Sequence, residues 1–183
     1  MSLFNTFEEE HDSIRELLIV LTVICNIISA GRMVELCHLD KLNEFISLFI
    51  DKYHHRKEDH LLLPAMEMAG FPRYGGMLDA ISLDHQMARQ YLEGMRQALE
   101  GLRTGDQAAL VKFVAHARKY IEITQYNLEQ ENHLLFLLAD RRLSPQQKEK
   151  LFHDIDSWDI IDPVELARQH SSLDFLKNLY ISE

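Results

Sequence analysis

The sequence predicts an all-α protein, an up-down-up-down four-helix bundle followed by two short C-terminal helices. Apolar residues recur every three or four positions in four long stretches, which is the spacing of a helix with one buried face. Only 4 prolines and 7 glycines occur among 183 residues, with an apolar content of 46%, as is typical of a helical globular chain. Turn signals separate the stretches, at Gly31, at residues 70–76 and at residues 103–106.

The first two helices are expected to contain the longest apolar stripes. The first should begin after Asn5 or Thr6, either of which can cap it, and should end at Gly31, a residue that commonly closes helices. The second should run from residue 39 or 40 to Ala69, with a kink where Pro64 interrupts the pattern.

The later helices follow the same signals. Ser144-Pro145 and Asp162-Pro163 each place a capping residue before a proline, which predicts the start of a helix. The expected ranges are 78–102 for the third helix, 107–140 for the fourth, 147–157 for the fifth and 163–180 for the sixth.

Length and charge narrow the class of protein. A chain of 183 residues is expected to form one domain, with the bundle over residues 1–143 and a helical extension packed on it over residues 144–183. The net charge of −10 argues against nucleic acid and anionic membrane surfaces as partners, since both need a basic patch.

Cys25 and Cys37 are too few for a disulfide framework, so a reducing cytoplasm is the simpler setting. Residues 17–30 are too short to span a membrane, and one face of them is expected to be available to a second copy in a homodimer.

Polar side chains interrupt the buried stripe of each long helix. In the second helix, His54 and Glu58 are four residues apart on a stripe that also contains Ile50. His55 and Asp59 have the same spacing, but their stripe is polar and is expected to face water or to flank the core. We therefore predict that His54 and Glu58 point inward. They would need a partner there, either each other or a metal ion.

The other three helices favour the metal ion. Their inward polar residues are His11 in the first helix, His85 in the third, and Asn127 and Glu131 in the fourth. A lone buried His is more often an ordinary hydrogen-bonded core residue. In this bundle, however, all these positions fall at a similar depth, and independent core residues would have no reason to meet there. Three imidazoles and two carboxylates favour iron, zinc or manganese, and carboxylates on facing helices favour a pair of iron ions.

The polar positions lie in short motifs. These are Glu10-His11-Asp12-x-Ile14-Arg15, His54-His55-x-x-Glu58-Asp59-x-x-Leu62-Leu63-Pro64, Asp84-His85 and Glu131-Asn132-x-x-Leu135-Phe136. Together they resemble the hemerythrin-like HHE cation-binding domains over roughly residues 4–141. The motif of the second helix is the most specific of the four.

The resemblance implies a four-helix bundle that holds an oxo- or hydroxo-bridged pair of iron ions, with an open position for a small ligand. By that resemblance, His11, His54 and His85 would be terminal ligands of the iron. Glu58 and Glu131 would be the carboxylates that bridge the two ions.

One position departs from the family pattern. The family has a His four residues before the second bridging Glu, and this chain has Asn127 there. Because Asn is a weak neutral ligand, the second ion is expected to be weakly held or absent. Glu8, one turn before His11, could reach the site and complete the coordination. The remaining candidates fall off the inward stripes or too far along the helix: His60, His116 and His133.

The expected function is that of a non-haem iron protein that binds or senses O₂, NO or peroxide, or that handles iron. Two alternatives stay open. One is a redox enzyme that reduces peroxide or NO at the same centre, which would need the same ligands. The other is a metal-free helical interaction module, which Asn127 and the acidic surface would favour.

Overall fold

The structure, a computed structural model, describes residues 4–181 and has no strand in that range. The all-α class predicted from the sequence is therefore confirmed for the described part of the chain. None of the helices in it combines the length and the apolar character needed to cross a bilayer. In chain order they are α1 (Asn5–Ser29), α2 (Leu36–Phe45, Ile46–His55, Glu58–Leu62 and Leu63–Met68 in succession), α3 (Met77–Arg103), α4 (Ala109–Gln130, Glu131–Leu135 and Phe136–Arg142 in succession), α5 (Pro145–Asp156) and α6 (Pro163–Tyr180).

The ends of α1 and the start of α2 show where local signals succeed and fail. Asn5 and Thr6 lie inside α1, which has no side-chain cap, so the prediction that either caps it is wrong. The other end agrees, because Gly31 adopts a left-handed conformation (φ 74°) that glycine takes without strain. α2 begins at Leu36, before the expected residue 39. Leu36 packs against the core, and this tertiary contact supports a first turn that local sequence does not predict.

The C-terminal helices begin at their predicted caps. Ser144 forms a capping box with Gln147, in which each side chain accepts a hydrogen bond from the other residue's backbone N–H. The side chain of Asp162 accepts a hydrogen bond from the backbone N–H of Val164, with an N···O distance of 2.7 Å. These polar contacts satisfy backbone groups that would otherwise lack partners at the first turn.

Two of the long helices contain π-helical turns. They are α2, which carries His54 and Glu58, and α4, which carries Asn127 and Glu131. The turns are Ile46–His55 and Glu58–Leu62 in α2, and Glu131–Leu135 in α4. In such a turn each N–H bonds to the carbonyl five residues earlier, and π turns occur frequently at functional sites. Because the turn is wider than in an α-helix, side chains from more adjacent positions can face the interior.

The core consists of two apolar clusters with a polar layer between them. The larger cluster includes Ile14, Ile50, Ala88 and Tyr120, and the smaller includes Phe7, Leu62, Ile81 and Leu135. On each of the four long helices, the polar residues lie between a member of one cluster and a member of the other. The layer is thus positioned by apolar packing on both sides.

The C-terminal helices pack on both clusters. Leu173 and Leu176 of α6 belong to the larger cluster, and Leu151 of α5 belongs to the smaller one. At the surface, Lys177 of α6 pairs with Glu16 of α1 at 2.7 Å. The polypeptide after residue 144 therefore contributes to the same apolar core as the four long helices.

Candidate metal centre

Four predicted ligands meet in the polar layer. His11, His54, Glu58 and Glu131 each offer one ligand atom, and these atoms all lie within 4.8 Å of one another. All four side chains are buried, with at most 1% of their surface exposed. They come from α1, α2 and α4, so only the folded chain brings them together.

The two other predicted residues lie against this group. His85 Nε2 is 3.3 Å from Glu58 Oε2 and 3.5 Å from Glu131 Oε1. Asn127 is buried and its side-chain N–H donates to Glu131 Oε1. All six residues predicted from the sequence therefore lie in one layer, and their role as metal ligands stays a prediction.

Several polar atoms that face the middle of the layer have no hydrogen-bond partner among the described residues. Leaving a buried polar group unpaired costs about 1–3 kcal/mol, and more for a charged one. The pair His54–Glu58 does not satisfy itself, since Nε2 and Oε2 are 3.6 Å apart. Imidazole and carboxylate atoms in this state fit a cation such as iron. The atoms are His11 Nε2, His54 Nε2, His85 Nε2, Glu58 Oε1 and Oε2, Glu131 Oε2 and Asn127 Oδ1.

The outer nitrogen of each imidazole makes a hydrogen bond. His54 Nδ1 donates to Glu10 at 2.9 Å, and His85 Nδ1 donates to Asp59 at 2.9 Å. His11 Nδ1 is 3.2 Å from the side-chain oxygen of Asn132. A proton on Nδ1 leaves the Nε2 lone pair free, and all three Nε2 atoms face the layer. The Nδ1 hydrogen bonds therefore leave Nε2 as the atom of each imidazole that a metal ion could bind.

Two cations lie behind the outer carboxylates. The ammonium group of Lys57 bonds to Glu10, and the guanidinium group of Arg89 donates to Asp59 at 2.9 Å. Lys57 is fully buried, whereas 35% of the Arg89 side chain is exposed. His54 and His85 are thus each hydrogen-bonded to a carboxylate that is itself paired with a cation.

The carboxylates of the layer favour the protonated form of two of its imidazoles. Burial lowers the pKa of His85, but Asp59, Glu131 and Glu58 outweigh it and hold that pKa well above its ordinary value. The pKa of His11 is raised in the same way, against burial, mainly by Glu131. Burial, together with the charge of Glu131, raises the pKa of Glu58. Groups in this environment bind protons tightly, and a cation can take the place of those protons.

His55 is buried, contrary to one of the sequence expectations. Its side chain does not face water: only 4% of the residue is exposed, and its ring stacks on His85 with centroids 4.1 Å apart. Burial, followed by the charge of His85, holds its pKa well below the ordinary value. The physical reason lies in the π turns of α2, which turn adjacent positions to the same side.

The other histidines and Glu8 lie away from the layer. Glu8 is exposed, so the expectation that it could complete the coordination is wrong, and Glu10 approaches the site in its place. His60 and His133 are exposed, as predicted, and His116 is half-buried beside Tyr91.

The residues that support the imidazoles have no role that the sequence predicts. Glu10 and Asn132 only form part of the motifs, and Lys57 lies in none of the inward stripes. A partial signal existed, because Glu10 is adjacent to His11 and Lys57 is adjacent to Glu58. Their partners lie on other helices, however, and spacing within one helix does not predict them.

A helical protein with a buried layer of His and Glu belongs to the class of proteins that could hold a cation inside a helical core. Comparison with known families specifies this further. A model described as the hemerythrin HHE cation-binding domain matches residues 2–139, and the chain belongs to that family. No curated protein and no solved structure matches the chain. Helices α5 and α6 lie beyond the matched residues.

Proposed function

We propose that this protein binds a pair of iron ions in the polar layer and that the iron centre binds or senses O₂, NO or peroxide. The observation that carries the proposal is the group of buried His11, His54, Glu58 and Glu131, whose ligand atoms lie within 4.8 Å of one another. Mixed imidazole and carboxylate donors suit iron better than calcium or magnesium. Membership of a cation-binding family supports the same conclusion.

The carboxylates support a two-ion arrangement. Glu131 Oε2 is 3.2 Å from His11 Nε2, and its other oxygen, Oε1, is 3.5 Å from His85 Nε2. Its two oxygens therefore lie near imidazoles from two different helices, as those of a bridging carboxylate do. We assign His11 and His54 to one ion, and His85 with Asn127 to the other. Glu58 and Glu131 would supply carboxylate oxygens to both.

The protein would contribute binding, orientation and exclusion of water, while bound iron would supply an open position and a change of redox state. Phe136 stacks on His11 with centroids 5.4 Å apart, and Phe7 meets the edge of the His54 ring at 6.1 Å. These apolar rings belong to the smaller cluster and shield the imidazoles from solvent. A small ligand would therefore meet the centre in a dry environment.

We also infer that the four long helices run up, down, up and down. The support comes from contacts whose residue numbers rise along one helix as they fall along its neighbour. The pairs are Asp40 with Arg103 and Asp59 with His85 for α2 and α3, His85 with Glu131 and Tyr91 with His116 for α3 and α4, and Ser29 with Arg118 and His11 with Asn132 for α1 and α4.

Two further expectations enter the proposal. The bundle over residues 1–143 and the extension over residues 144–183 would form one domain, which the core positions of Leu151 and Leu173 support. A reducing compartment such as the cytoplasm is supported by the cysteines, since Cys25 and Cys37 are both free.

Metal analysis of the purified protein tests the proposal directly. We expect iron in the wild-type protein and loss of most of it in His54→Ala. His60→Ala is the matched control, because His60 is on the same helix but exposed. A folded wild-type protein that binds no iron when it is offered anaerobically would reject the proposal and favour a metal-free interaction module.

The ligand part of the proposal needs a separate measurement. The iron-loaded protein is exposed to O₂, NO or peroxide, and its optical absorption spectrum is followed. We expect a spectral change with at least one of them that His54→Ala does not show. An iron-loaded protein whose spectrum responds to none of the three would retain the metal site but would lose this function.

A further inference from the structure

One lysine of α2 is buried beside the metal centre. Lys57 has no exposed surface, and its ammonium group lies 4.4 Å from the ring centre of Tyr53 and 5.0 Å from that of Phe7. Lysine is almost never fully buried unless it is paired. Its partner is Glu10 of α1, which is also buried.

Glu10 joins this lysine to a predicted metal ligand. One of its oxygens bonds to Lys57 and the other accepts the Nδ1–H of His54 at 2.9 Å. A carboxylate on the outer nitrogen of a histidine fixes the orientation of the ring and makes its inner nitrogen a better donor. Lys57 in turn holds Glu10 in place and compensates its negative charge. A carboxylate buried alone would have no such compensation.

The three histidines of the site differ in this respect. His54 is supported by a buried pair of opposite charges, of which Lys57 has no exposed surface. His85 is supported by Asp59 and Arg89, which are partly exposed to solvent, and His11 by the neutral side chain of Asn132. Since solvent weakens an ion pair, the support behind His54 is the one least affected by water and salt.

We propose that Glu10 and Lys57 are positioning residues of the metal centre, with Lys57 acting through Glu10 on His54. The inference rests on the proposed function, because it concerns the affinity of the same site. The alternative is that the pair only fills the core between α1 and α2. In that case its removal would change the stability of the fold and leave metal affinity unchanged.

The main test replaces both charges together. Glu10→Gln/Lys57→Met keeps the size of both side chains and leaves no charge buried without a partner. Fe²⁺ affinity is measured anaerobically by competition with a chelator, and the folded state is checked separately by circular dichroism. We expect about 10–100-fold weaker binding of the first Fe²⁺. The matched control is Glu9→Gln, a neighbouring carboxylate that is exposed and should have no effect.

The single variants test whether Lys57 acts through Glu10. Glu10→Gln alone and Lys57→Met alone should each weaken Fe²⁺ binding. Adding Lys57→Met to Glu10→Gln should then cause no further loss, because the path from lysine to imidazole is already broken. If the double variant fails to fold, the Fe²⁺ affinity of Glu10→Asp tests the proposal in its place. It keeps both charges but is too short by one methylene to reach His54 and Lys57 together.

A spectroscopic measurement separates positioning from core filling. In the zinc-loaded protein, the Nδ1–H of His54 should give its own proton resonance, which Glu10→Gln shifts or removes while the Nδ1–H of His85 stays. Wild-type protein that binds no metal at all would overturn the proposed function. Wild-type protein that binds metal, with unchanged affinity in both the double variant and Glu10→Asp, would overturn this inference alone.

Discussion

Asn127 occupies the position at which a second imidazole would be expected on α4. It is buried and donates a hydrogen bond to Glu131, a candidate bridging carboxylate. Of the two proposed ions, the one assigned to His85 and Asn127 therefore has a single imidazole. An amide is a weaker ligand for iron than an imidazole, and the half of the centre beside His85 is expected to bind its ion less tightly.

We predict that Asn127→His raises the occupancy of this weaker half. Anaerobic titration should give one tight and one weak Fe²⁺ in the wild-type protein, and two tight ions in Asn127→His. Asn127→Ala is the control, since it removes the amide without adding a ligand. Two equally tight ions in the wild-type protein would contradict the asymmetry.

The two cysteines should differ sharply in reactivity. Cys25 is buried in the larger cluster and burial raises its pKa to about 11, whereas Cys37 is exposed. Since the thiolate is the reactive form, Cys25 should react with iodoacetamide at pH 8 more slowly than an ordinary thiol by at least on the order of 100-fold. Mass spectrometry of the native protein should show modification at Cys37 first. Equal modification of both would contradict the buried position of Cys25.

The same thiol makes stability depend on pH. The pKa of Cys25 in the folded state, about 11, is above its ordinary value of 9.0. Its contribution to the free energy of unfolding is therefore complete below pH 9 and is lost as the pH rises from 9 towards 11. Urea unfolding of the wild-type protein and of Cys25→Ala across this range measures the contribution, because the variant should lose less stability over the same interval.

Residue types and spacing predicted the inward side chains well, and the reason is geometric. His54 and Glu58 lie one turn apart, so an apolar stripe on both sides fixes the direction in which they point. The contacts of Glu10 and Lys57 could not be predicted in this way. They are made between α1 and α2, and neither residue has a helical periodicity that signals the other.

At the scale of elements, the π turns explain why His55 is buried and does not face water. In a regular α-helix through residues 46–62, His54 and His55 would lie on different stripes. Wider turns in Ile46–His55 and Glu58–Leu62 bury both of them, and Lys57 as well. The spacing of the apolar residues fits a regular α-helix as well, so it does not predict such turns.

The capping box of α5 is an element whose contribution can be measured alone. Replacing Ser144 by Ala removes one of the two reciprocal hydrogen bonds at the start of the helix. We expect a decrease of about 1 kcal/mol in the free energy of unfolding. Ser171→Ala is the control, because this exposed hydroxyl in the middle of α6 bonds only to the carbonyl of Ala167 and should change stability by about 0.5 kcal/mol or less. Equal changes in urea unfolding would show that the cap does not stabilise α5.

At the scale of the whole molecule, bound metal should stabilise the fold. The ion would bind the folded chain and satisfy buried atoms that otherwise have no hydrogen-bond partner in the described part of the protein. At a free metal concentration of about 100 times Kd, the gain would be about 2.7 kcal/mol. We therefore expect a chelator to lower the Tm of the wild-type protein. In His54→Ala the chelator should have little effect, and an equal decrease in both would point to an action of the chelator elsewhere.

The polar layer between the two apolar clusters also has a consequence for local opening of the molecule. Without an ion, the polar layer where the clusters meet keeps several buried atoms of Glu58, Glu131 and the imidazoles without a hydrogen-bond partner among the described residues, which weakens the packing there. The part built around Phe7, Leu135 and Leu151 can then open while the larger cluster stays folded. In native-state hydrogen exchange, the amides of this smaller part would share one opening free energy, which would be lower than that of the part around the larger cluster. Binding of metal would merge the two cooperative units into one.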